Sequence, residues 1–293
     1  MPMTKPLTKP RHPREPVATL EYCDKMTTYE QEQAKAIREW KDKEPSVVSQ
    51  ATGWVLKPLN WAVEKLIPQS VIKGALTAAN SAAEWLTDTQ DILRDGGVER
   101  IEDLRNKDLG LSDKLANEVH NWANATAAIE GAATGATGLP GMALDIPALI
   151  TMSLRVIHKI GLCYGYECKS ETDKQLVYGI MSAAGANNTK EKVLALANIQ
   201  AVKVMITKTA WRKMAEKAAA NKVSKEAVVL AVKNLAKQLG VNLTRRKALQ
   251  AIPVVGGVVG ASMNVAFIND IAWAARRTFQ EMWLEGNKII DID

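Results

Sequence analysis

Asp145 is the only charged side chain between Gly131 and Leu154. A carboxylate among apolar residues must find a partner, or its pKa rises until it is neutral. Arg155, or Arg276 and Arg277 much further along, could supply that partner. Structurally, such a group is a buried ion pair or a helix cap; functionally, it is an acid–base group in a cavity. His158, Cys163 and Cys168 form a second set, with four residues between successive members. Zinc sites use tighter ligand pairs and a fourth ligand, so Cys163 and Cys168 read as a buried, reduced thiol pair beside Tyr164 and Tyr166 rather than a metal centre. Ser70-Val71-Ile72-Lys73 matches Ser-x-x-Lys, a pattern short enough to arise by chance. No phosphate-binding loop, nucleophile elbow or His-Glu-x-x-His occurs, and Gly256-Gly257-Val258-Val259-Gly260 fails the dinucleotide spacing. The chain therefore offers no assembled catalytic set and no cofactor motif.

The elements around these residues are more informative than the residues themselves. Gly131, Gly135, Gly138 and Gly141 recur every three or four positions, so in a helix they line one face and let another backbone approach closely. Pro140 and Pro147 bracket Asp145. A helical hairpin or bent helix suits Gly138-Leu139-Pro140-Gly141 better than a straight span. A second segment, residues 248–269, has no charge at all: Pro253 precedes Gly256, Gly257 and Gly260, and a helix follows through Asn264. The two segments form a weak internal repeat. Close packing in protein and burial in lipid select the same residues here, so both readings stand.

Residues 190–247 hold fourteen Lys or Arg against three Glu, a net of +11; the whole chain carries +6, which leaves −5 elsewhere. Two amphipathic helical patterns lie in this basic region, roughly 193–239. A basic amphipathic pair beside uncharged glycine-rich segments fits a surface that meets anionic lipid, with Lys203, Lys208, Arg212, Lys213 and Lys217 as the contacting cations. Nucleic acid is disfavoured, because no reading motif or stacking ladder accompanies the lysines. Ser112 is a plausible helix N-cap, and Asp95-Gly96-Gly97 marks a turn. Trp54 and Trp61 lie seven apart on a pattern interrupted by Pro58.

The chain has 293 residues, 47% of them hydrophobic and 24% charged, which excludes wholesale disorder and a disulfide-stapled module. Residues 1–17 contain five prolines and no apolar run, so they read as an extended basic tail rather than a signal peptide. Residues 18–293 read as a single helical domain. Three cysteines in a chain of this length suggest reduced thiols and a cytoplasmic compartment.

The paired apolar motifs resemble the EcsC family. The similarity lies in Gly131 to Asp145 (Gly-x-x-x-Gly-x-x-Gly-Leu-Pro-Gly-Met-x-x-x-Asp), continuing through Arg155 and Tyr164-Gly165-Tyr166. It returns at Ile252-Pro253-x-x-Gly256-Gly257 through Asn264, and at Ala274-Ala275-Arg276, covering roughly residues 30–285. The family is named for a bacterial protein encoded beside an ABC transporter, and the resemblance assigns no catalytic residue. A fainter similarity to the plant- and spartin-type senescence domain implies lipid binding.

The expected fold is all-α, a bundle of about eight to ten helices with the two Gly/Pro-rich apolar segments at its centre. The expected function is non-enzymatic: a cytoplasmic protein, peripheral to or partly inserted in the inner membrane, meeting anionic lipid or enclosing an acyl chain. Gly138, Pro140, Gly141, Asp145, Arg155, Pro253, Gly256, Gly257 and Asn264 are the cavity candidates. One alternative is a lipid- or peptide-acting enzyme with its site near Asp145. The other is an adaptor for a transporter or another membrane-protein partner, anchored by Trp54 and Trp61 or by Trp273 and Trp283.

Overall fold

A computed structural model describes residues 26–45, 72–76, 88–135, 138–215, 230–239, 242 and 256–287. The tail at 1–17, the Pro58 break, Trp54, Trp61 and Ser70 lie outside them. The described residues contain seven long helices and no strand, as an all-α protein requires. These are α1 (Thr28–Asp42), α2 (Gln90–Gly96), α3 (Leu109–Gly135), α4 (Gly138–Cys163), α5 (Glu171–Ala184), α6 (Thr189–Ala215) and α7 (Gly256–Gly286). A 3₁₀ turn, Ile101–Asn106, links α2 to α3, and 72–76 and 230–239 are short helical stretches.

Local chemistry sets the helix ends. Thr27 opens α1 with a capping box: its hydroxyl accepts from the Glu30 amide at 3.2 Å, and the Glu30 carboxylate accepts from the Thr27 amide at 2.7 Å. Ser170 and Asp173 do the same for α5. Gly97, with φ of +59°, closes α2 in the left-handed conformation, at the turn the sequence indicates. Ser112 is not an N-cap. Helix α3 starts a turn earlier, where the Asp108 carboxylate accepts from the Gly110 amide at 2.7 Å, and Ser112 is buried inside the helix.

The break near Gly138 occurs as expected. Helix α3 ends at Gly135, α4 begins at Gly138, and the two helices pack on each other as a hairpin. Pro140 falls in the first turn of α4, where its missing N–H has no intrahelical acceptor to serve. Pro147 lies inside the helix, and its carbonyl accepts from the Thr151 hydroxyl at 2.9 Å.

Helix α7 is the axis of the molecule. It packs on α3 most extensively, then on α4, α5 and α1, so the helices that begin in the two glycine-rich segments meet. Helix α6 packs mainly on α5, where Gly179 admits Ile199: a Cβ on that glycine would sit 2.9 Å from the Ile199 side chain. Residues from all seven helices share one apolar core. Among the described residues one stretch, Ile146–Cys163 in α4, is long and apolar enough to cross a membrane, and 72% of it is buried within the protein.

Candidate functional site

Polar residues on one face of α7 are turned inwards, and they organise the interior. Asp113 of α3 sits at the centre, 4% exposed. Its Oδ2 accepts from the Tyr29 hydroxyl at 2.6 Å, and its Oδ1 accepts from the Gln280 amide at 2.6 Å and from the Tyr164 hydroxyl. Burial, followed by the charge and hydrogen bond of Asp113, pushes the pKa of both phenols up, well above the usual tyrosine range for Tyr164. Their protons are thereby held on the tyrosines, so this cluster is a set of fixed donors rather than a source of acid or nucleophile. Arg277 donates through Nη1 to Gln33 at 2.9 Å and to Gln280 at 2.8 Å, tying α1 to the same network.

A second layer is ionic. Lys203 of α6, 3% exposed, lies 3.2 Å from Glu281 and 2.7 Å from Glu285, and Lys41 of α1 reaches Glu281 at 2.6 Å. A buried lysine with two carboxylates is a bridge between helices. Lys203 is therefore not a membrane-surface cation: the register of α6 puts it on the buried side of the helix, within reach of two α7 carboxylates. The Lys208, Arg212 and Lys213 side chains and all of Lys217 lie outside the described residues.

The glycine-rich candidates are placed by backbone alone. Gly138, Pro140, Gly141 and Asp145 occupy the first two turns of α4, and Gly256 and Gly257 open α7. The Asp145 side chain and Pro253 lie outside the described residues. Asn264 is buried, 2% exposed. Arg155 is half-buried; its guanidinium stacks 4.9 Å from the Trp122 ring, in the wall of a cavity of about 330 Å³ shared with Asp91, Glu118 and Lys159. Arg276 and Arg277, the other partners offered for Asp145, both lie against the Trp273 ring, at 4.6 and 4.9 Å.

Burial also decides the thiols and the second histidine. Cys163 and Cys168 are free and buried, which pushes both thiols up. His158 is pushed down to about 4, chiefly by desolvation. Among the described residues no three His, Cys, Asp or Glu side chains converge as a metal would need. Trp283 is 4% exposed, so it is a core residue and not an adaptor anchor; Trp273 is half-buried.

Sequence reasoning missed Asp113, Tyr29 and Gln280. One signal was present: Asn269, Trp273, Arg276, Gln280 and Gly-free polar neighbours recur at three- and four-residue steps on α7, which is a polar stripe on a helix that must also fill the core. Tyr164 lay in the quoted Tyr164-Gly165-Tyr166 motif. Gly165 there has φ of +86° and lets its carbonyl accept from Arg105 Nε at 2.8 Å.

The order of these motifs along one helical frame is what known proteins can test, and the EcsC protein family pattern matches residues 31–284. The chain belongs to the EcsC protein family. It is similar to the Bacillus subtilis (strain 168) protein named Uncharacterized protein YdbA, with 24% identity over 258 residues, 82% of this chain and 87% of the relative. No solved structure matches it. The similarity between this EcsC-family chain and its relative thus runs through most of both sequences, and the site chemistry must be argued from this chain's own side chains.

Proposed function

We propose that this EcsC-family protein is a non-enzymatic, peripheral membrane protein that rests on anionic lipid at the cytoplasmic face through α6. The supporting observation is the outward face of that helix. Val193, Leu194, Val204 and Met205 are 57%, 58%, 42% and 40% exposed, and Ala197 and Ala201 lie exposed between them. Their spacing puts all six on one stripe. Lys190 precedes the stripe in the same register, Lys208 and Arg212 follow it at four-residue steps from Val204, and no Asp or Glu occurs from 192 to 215. An apolar stripe ending in cations matches the boundary between acyl chains and anionic headgroups. Scattered exposed apolar residues are ordinary, whereas a contiguous row on one helix marks a contact surface.

Vesicle flotation at low salt tests this. Wild type should float with phosphatidylglycerol-containing vesicles and less with neutral ones. Leu194→Asp with Met205→Asp should reduce partitioning at least tenfold, since each lost apolar insertion is worth ~1.5–3 kcal/mol. Absence of wild-type flotation, or equal flotation of the double variant, would overturn the proposal.

A further inference from the structure

A cavity of about 660 Å³ lies where the end of α1 meets α5, α6 and α7. Trp40 and Trp273 line it, and Ala36, Ala183 and Ala184 add small apolar surface. Six charged side chains also line it. Glu39 faces Lys35 at 3.8 Å, and Glu44 and Asp270 are already engaged. The cations are less committed. Lys192 donates to the carbonyls of Trp40 and Lys43, which closes the C-terminus of α1. Lys43 itself forms no ion pair among the described residues. Among the described residues Arg277 spends only Nη1, on two neutral amides, and neither it nor Arg276 is paired with a carboxylate. The Arg276 Nε is buried with no partner. Two adjacent guanidiniums, always charged, therefore flank Trp273 with no carboxylate at ion-pair distance among the described residues.

The geometry points to this cavity as a binding site for a small amphiphile with one anionic group on an apolar body. Arg277 and Lys43 take the anionic head, and Trp40, Trp273 and the alanines take the apolar part. The volume falls within the ~300–1,000 Å³ usual for small-molecule sites. The inference deepens the membrane-surface reading and rests on it for the source of the ligand, a fatty acid or a single-chain phosphate ester.

Calorimetric titration of the full chain with decanoate, decyl phosphate and decanol tests it. One of the two anionic ligands should bind saturably, one per chain, at least tenfold tighter than decanol, because a charge-assisted bond is worth more than a neutral one. A preference for decanoate indicates a fatty-acid source, and one for decyl phosphate a phosphate ester. Lys43→Glu, at an exposed position that leaves the fold intact, and Arg277→Gln should each weaken the anionic ligand about fivefold or more and leave decanol unchanged. The Leu194→Asp, Met205→Asp variant should bind the amphiphile as wild type does while failing to float with vesicles, which separates the cavity from the surface. Decanol binding as tightly as the anions, no saturable binding of either anion, or undiminished binding in both cavity variants would overturn the proposal.

Discussion

Helices α6 and α7 both depart from the rule that a helix buries its apolar face, and they depart in opposite directions. Helix α7 carries Arg276, Gln280 and Glu281 into the interior, at 8%, 0% and 3% exposure. Helix α6 carries Val193, Leu194, Val204 and Met205 to the outside. The polar stripe of α7 is answered from within, by Asn117, Asp113, Gln33, Lys41 and Lys203. The apolar stripe of α6 is left exposed. Buried polar groups that are answered specify which helix lies against which. An apolar face left open contributes nothing to the fold and is free to serve an interaction.

The sharpest way to break this comparison is to remove the residue that belongs to both helices. Lys203→Met leaves Glu281 and Glu285 without their shared lysine, and the Glu281 side chain is buried. Removing one partner of a buried pair costs ~3–5 kcal/mol, and because Glu281 keeps Lys41 the loss should lie in the lower part of that range. Urea unfolding should show that loss, and Lys203→Met with Glu281→Met should recover most of it. If Lys203→Met unfolds at the wild-type midpoint, the inner face of α6 is not a bridge. Asp113→Ala should come next, at roughly 3 kcal/mol, since Tyr29, Tyr164 and Gln280 each lose an acceptor. Tyr29→Phe removes one donor of three and leaves Asp113 with Tyr164 and Gln280, so it should cost much less. The ratio of the two effects, read from thermal midpoints, reports how much of the network is truly sealed.

Much of the frame was legible because it rests on local rules. Gly97 and the Gly135–Gly138 break act through their neighbours in sequence, so spacing exposes them, whereas the one cap read from spacing, Ser112, lies inside α3. The class of the fold followed from helical periodicity and from the order of the two glycine-rich motifs. Lys203 was misread for a physical reason: a lysine among lysines looks solvated, and only the folded chain brings to it two carboxylates 78 and 82 residues away in sequence. Asp113 was passed over for the same reason. Its acidic neighbours in sequence, Asp108 and Glu118, are exposed, and its partners come from three distant places in the chain. Asp145, isolated in an apolar run, drew notice through its local surroundings. Contrast within a window is visible from sequence; convergence of distant side chains is not.

Acid offers a milder perturbation of the interior. Folded His158 titrates at about 4, and an unfolded histidine near ~6.5. The folded state therefore binds this proton less well than the unfolded chain. The stability His158 contributes is complete above the unfolded value and is lost as pH falls from there towards 4. At pH 5 the loss from this residue is about 2 kcal/mol. Urea midpoints measured from pH 7 to 5 should fall less steeply in His158→Leu than in wild type. Equal slopes in the two proteins would place the titration elsewhere.

The smallest effect on stability is expected at the outward face of α6. Leu194→Ser and Met205→Ser touch side chains 58% and 40% exposed, so each should change the unfolding free energy by no more than ~0.5 kcal/mol. Polar replacement there could even raise solubility, because it removes apolar surface from water. The comparison becomes decisive when this near-zero is set beside vesicle binding in the same variants. Lys203→Met should lose stability, and Leu194→Ser should lose binding without losing stability. If instead Leu194→Ser destabilised the protein by 2 kcal/mol or more, the stripe would be covered by some other part of the chain, and α6 would be a core helix like α7 rather than a surface that meets lipid.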